Sequence, residues 1–158
     1  MELQNQLENK YTELKKEMQL DLELEELDDI FFIRDYINQA GFVSEKLSRQ
    51  ICLRITDTFN SWASYLHGII MPNPHNMINN TESQLFSEDE KQEIIQLMNE
   101  ILAHTTKNVL NGLKKDKENE ADFIRTSVDF WNNKLNPQMI KIIEKVNKYW
   151  IEKATESN

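Results

Sequence analysis

Residues 1–40 contain neither glycine nor proline, and the whole chain of 158 residues has only three of each. Tight turns draw on glycine for positive φ and on proline for a preset φ. A chain so poor in both is predicted to fold into long helices rather than a sheet. Charged residues make up 28% of the chain and apolar ones 39%, which suits amphipathic helices with one wet face. A chain of this length is expected to form a single domain, residues 1–158, with a core large enough to need no disulfide.

Apolar spacing supplies the elements. Leu3, Leu7, Tyr11, Leu14 and Met18 recur at helical intervals, and so do Leu20, Leu24, Leu27 and Phe31. The two stripes are out of phase. Between them lies LDLELEELDD, residues 20–29, whose first five residues alternate as a strand would. Five residues are few, and leucine and glutamate favour helix. The stretch is therefore read as part of a long acidic helix over about 3–39, one helix kinked near Gln19 or two helices. Gly41 reads as a C-cap and Ser44 as the next N-cap. Leu47, Ile51, Ile55, Phe59, Trp62, Leu66 and Ile69 mark a helix over 44–70. Pro72 and Pro74 end it, and 71–86 reads as the longest loop. Ser87-Glu88-Asp89-Glu90 is a capping box that opens a helix over 87–113. Further stripes predict helices over 120–135 and 137–154, with Pro137 at a first helical position or at a kink.

The fold class is thus all-α: an antiparallel bundle of four to five main helices, the N-terminal one long and acidic. Residues 1–18 are able to protrude, and 155–158 are expected to fray.

Charge is unevenly spread. The net charge is −9, and residues 1–29 carry −7 of it, from ten acids and three bases. Such a field disfavours direct nucleic-acid binding and anionic membranes. No apolar run approaches the roughly 20 residues of a membrane span. One cysteine, Cys52, allows no internal disulfide, and the N-terminus lacks the pattern of a signal peptide. Together these point to a cytoplasmic protein.

No catalytic or cofactor signature is present, so the expectation is no catalytic residue, no cofactor and no metal. Cys52 sits mid-helix among apolar neighbours and reads as a buried thiol. His75 lies in the loop without a partner. There is no glycine-rich phosphate loop and no Glu-x-x-His pair. The favoured function is a non-enzymatic protein–protein interaction module, an adaptor, inhibitor or regulatory subunit. Its docking surface would be Asp21, Glu23, Glu25, Glu26, Asp28 and Asp29, and its partner a basic protein or a second copy in a homodimer. The alternative is a helical small-ligand or metal-binding protein, an enzyme in one version, using His67, Glu100 and His104.

Overall fold

The computed structural model describes residues 2–156, and among these all regular structure is helical, without strands. The elements are α1 (Glu2–Glu17), α2 (Leu24–Phe31), α3 (Ile33–Ala40), α4 (Leu47–Ile70), α5 (Met77–Ser83), α6 (Glu88–Lys114), α7 (Lys117–Phe130), a π-helical turn (Trp131–Leu135) and α8 (Asn136–Glu156). Of the expected frayed end, Thr155 and Glu156 are helical, and 157–158 lie outside the described residues.

The long acidic helix expected over 3–39 is instead three helices. The first break falls at Gln19, whose φ of 52° is left-handed. Leu20 donates to the Lys15 carbonyl and Gln19 to that of Lys16, the paired bonds of a Schellman ending. Arg125 then reaches over from α7 and donates to the carbonyls of Met18 and Gln19, each at 3.1 Å. A side chain 106 residues away thereby satisfies the end of α1, which no local pattern foretells. Residues 20–23 lie outside any helix, with Leu20 buried and Leu22 half-buried. Tyr11 donates to the Leu22 carbonyl at 2.7 Å, and burial followed by the charges of Glu23, Glu26 and Glu25 pushes the Tyr11 phenol well above its usual range. Glu23, in an extended conformation, opens α2 with a capping box closed by Glu26.

The second break falls at Phe32, also left-handed at φ 53°. Asp28 makes this corner possible, since its Oδ1 accepts from the Arg34 backbone N–H at 2.8 Å. That N–H belongs to the first turn of α3 and has no partner within its own helix.

α4 and α6 form the antiparallel centre of the bundle. Phe59 meets His104, Cys52 meets Asn108, and Arg49 meets Asn108 and Gly112. α7 covers both, and Ser48 of α4 donates to the buried Glu120 of α7 at 2.7 Å. α1 does not protrude. It lies against α3 and α4 and buries Leu7, Tyr11 and Leu14, each fully buried aliphatic side chain being worth roughly 1.5–3 kcal/mol.

Three other boundaries differ from expectation. Ser44 does not cap α4; Lys46 holds that position, and Ser44 Oγ accepts from the Lys46 N–H. The loop over 71–86 contains α5, opened by the Asn76 side chain accepting from the Asn79 N–H. Glu82, within α5, accepts from Tyr65 of α4 and from the Trp150 indole of α8. The helices expected over 120–135 and 137–154 are one rod from Lys117 to Glu156. Pro137 has no N–H to donate and its ring would crowd the carbonyl four residues earlier. The chain widens by one residue into the π turn, where the Asn136 N–H bonds to the Trp131 carbonyl, and the helix continues.

Candidate functional site

The acidic stretch is the first candidate surface, and much of it serves the fold. Glu23 and Glu26 form the capping box of α2, and Glu23 also pairs with Lys15. Glu25 and Asp28 face Arg34, at 3.2 and 3.6 Å, and Glu8 of α1 joins them at 3.0 Å. Gln4 Oε1 accepts from the same guanidinium at 3.2 Å. Arg34 therefore gathers α1, α2 and α3 around one cation. Each pair is partly exposed and individually worth little, but the shared cation sets the angle between three short helices. Among the described residues, Asp21 and Asp29 make no ion pair or side-chain hydrogen bond and lie exposed. Of the six acids, only these two lack an ion pair or side-chain hydrogen bond, and Asp21 still acts on the Lys15 ammonium through space.

Phe32 follows Asp29 by three residues at the C-terminal end of α2, whereas Asp21 precedes that helix. Its ring is 56% exposed although α2 and α3 flank it, while its neighbours Phe31 and Ile33 are fully buried. The sequence carries a trace of this. Ile30-Phe31-Phe32-Ile33 is four consecutive apolar residues, and a helical period cannot bury four in a row on one face. Which one is left outside depends on the left-handed turn, and the spacing alone does not reveal it.

His67, Glu100 and His104 do not assemble. Among the described residues no three histidine, cysteine, aspartate or glutamate side chains form a metal-holding group. Glu100 accepts from Lys134 at 2.6 Å and from Gln96 at 3.2 Å. Burial works against its charge, but these hydrogen bonds and the nearby cations hold its pKa below the usual carboxylate value. His104 lies between aromatic rings, stacked on Phe130 with centroids 4.5 Å apart and edge-on to Phe59 at 6.1 Å. Burial, then Lys107, lowers its pKa, and Glu100 opposes this in part. Cys52 is buried as expected, and burial, then Glu120, pushes its thiol up to about 12. A thiol so held is protonated and unreactive at neutral pH.

A pH dependence follows from His104. A histidine whose folded pKa is depressed binds its proton more readily in the unfolded chain. Its contribution to stability is complete above the unfolded pKa, about 6.5, and is lost as pH falls from there through the folded pKa. Urea denaturation between about pH 7.5 and 5.5 should show stability falling with pH, and His104→Gln should flatten that slope. An unchanged slope in the variant would place the titration elsewhere.

The second candidate is a groove of about 490 Å³ between α6 and α8. Its floor is apolar, from Phe86, Ile94, Leu97 and Ile142, and its walls carry acids on α6 and lysines on α8. Sequence reasoning missed it because it depends on how far α8 stands from α6. The lysines were legible, since Lys134, Lys141 and Lys145 recur on one helical face.

Comparison with protein families, with curated proteins and with solved structures finds no match for this chain. The geometry thus defines the class: an all-helical protein with a charged groove along its α6–α8 side.

Proposed function

We propose that this protein is a non-enzymatic interaction module, an adaptor, inhibitor or regulatory subunit, that docks a basic partner at the corner between α2 and α3. The observation that carries this reading is Phe32. A bulky residue in the left-handed region costs about 1–2 kcal/mol, and exposing its ring forgoes the burial of a large apolar side chain. Both costs fall at one position, three residues after the exposed Asp29. An aromatic anchor rimmed by acids fits a partner that offers an apolar pocket edged by lysine or arginine. Asp21, ahead of the N-terminal end of α2, belongs to the same acidic stretch and adds to its negative charge. The other four acids support this surface indirectly: Glu25 and Asp28 hold α2 and α3 at their angle through Arg34, and Glu23 and Glu26 open α2.

Phe32→Gly separates stability from binding. Glycine relieves the left-handed strain and loses some of that gain to its greater unfolded-state entropy, so the variant should be roughly 0.5–1 kcal/mol more stable. It should also lose the partner. Affinity capture at low salt, with the native chain, Phe32→Gly and Asp21→Asn/Asp29→Asn side by side, reads the second effect. The expected result is one stoichiometric partner that is lost at high salt and in both variants. If the more stable Phe32→Gly chain retains the same partner, the corner is not the docking surface. Recovery of the native chain with copies of itself, abolished by Phe32→Gly, would identify the partner as a second copy.

A further inference from the structure

The α6–α8 groove is crossed by an ion pair toward each end and carries charge between them. Lys145 spans it to Glu90 at one end, with both carboxylate oxygens at 2.8 Å. Lys134 spans it to Glu100 at the other. Ten residues separate the two glutamates along α6, about 15 Å of helix. The two ion pairs set α6 antiparallel to the π turn and α8, and counting between them puts Glu93 level with Lys141 and Leu97 level with Gln138. Glu93 and Lys141 both line the groove and are exposed, yet among the described residues neither makes an ion pair or side-chain hydrogen bond. Below them lie Ile94, Leu97 and Ile142.

We infer that this groove is a binding site for a small zwitterion with an apolar body, the chemistry of an apolar dipeptide. Three features select that class. The volume falls within the roughly 300–1,000 Å³ of small-molecule sites. The bridging ion pairs cross the groove toward its two ends, so a through-running helix or peptide strand would have to displace both, whereas a short ligand between them would not. The two unengaged charges face each other from opposite walls with opposite sign, so a ligand carrying an ammonium and a carboxylate can satisfy both. The ammonium sits at Glu93, the carboxylate at Lys141, and the apolar side chains lie on the isoleucine and leucine floor. The neighbouring Gln96 and Gln138 side chains have amides to meet a peptide bond. A purely anionic ligand would leave Glu93 facing like charge, and a purely cationic one would do the same at Lys141. This site is independent of the α2–α3 corner, and either can fail alone.

Titration of the ¹⁵N-labelled chain with leucyl-leucine tests the inference, with N-acetyl-leucyl-leucine and leucyl-leucine amide as controls that each lack one charge. Saturating shifts should appear at amides of 93–97 and 138–142. Each blocked peptide should bind the native chain about tenfold more weakly, the cost of one lost charged hydrogen bond. Glu93→Gln should bind leucyl-leucine about tenfold more weakly and no longer distinguish the acetylated form. Lys141→Gln should behave likewise toward the amide. No shifts at millimolar dipeptide, or an affinity indifferent to both blocking groups on the native chain, would overturn the inference.

Discussion

Phe59→Ala is expected to destabilise the protein by about 3–5 kcal/mol, the largest effect of any single truncation considered. Phe59 is fully buried near the middle of α4. Its ring meets Phe31 edge-on at 5.7 Å, Phe130 edge-on at 5.7 Å and His104 at 6.1 Å. Those three partners come from α2, the C-terminal end of α7 and α6. Truncation leaves a cavity at a point where four helices converge, and rigid rods cannot all move inward to fill it. Edge-on aromatic contacts add about 0.5–1.5 kcal/mol each beyond the area buried. Urea denaturation reads the effect directly, and a loss below about 1.5 kcal/mol would mean that the helices collapse around the site.

Asn108→Ala is expected to cost about 2–3 kcal/mol, through polar satisfaction rather than volume. Asn108 is buried on α6 and is held entirely by α4. Its Oδ1 accepts from Arg49 Nη1 at 2.6 Å, and its Nδ2 donates to Thr56 Oγ1 at 2.7 Å and to the Cys52 carbonyl at 3.3 Å. Arg49 also donates to the Asn108 carbonyl at 3.2 Å, so the guanidinium lies across the seam of the two central helices. Removing the side-chain amide strips the half-buried cation of its closest acceptor, and hydrogen bonds to charged groups are the expensive ones to lose. Arg49→Met in the same background should recover part of the loss, because the orphaned charge is removed with it. Equal and additive losses in the two single variants would show that the residues do not act as a unit. Gly112 belongs to the same seam, since a β-carbon there would collide with the Arg49 guanidinium.

These two side chains differ in how visible they were beforehand. Phe59 lies on the clearest apolar stripe of the chain, and its burial follows from spacing alone. Asn108 sits among Val109, Leu110 and Leu113, which are exposed, while the asparagine is inside. Apolar residues can be left in water at modest cost, whereas a matched set of donors and acceptors on α4 fixes which face of α6 turns inward. A reading by hydrophobic spacing, which would turn Val109 and Leu113 inward, fails over the C-terminal half of α6 for that reason.

The acidic stretch shows the same division. Its composition announced a charged surface, but no spacing rule could show that Arg34 would take Glu8, Glu25 and Asp28, or that Arg125 would close the end of α1. Both arginines act across helix boundaries, one over 26 residues to Glu8 and the other over more than a hundred. Glu25 and Asp28 consequently serve as fold contacts, and the unengaged carboxylates are reduced to Asp21 and Asp29.

By itself, the sequence determined the helical class, the capping box at Ser87, the apolar stripes of α4 and the early part of α6, and the charge asymmetry. All of these are local: they follow from the 3.6-residue period, from scarce glycine and proline, and from side chains that bond within four residues of themselves. Only the tertiary structure decided that the first forty residues break a second time at Phe32, that Phe32 faces water, and that α6 and α8 stand apart with Glu93 level with Lys141. Those features depend on which residues meet from distant parts of the chain. Satisfying a buried polar group or pairing a charge selects among arrangements that hydrophobic burial alone leaves nearly equal in free energy.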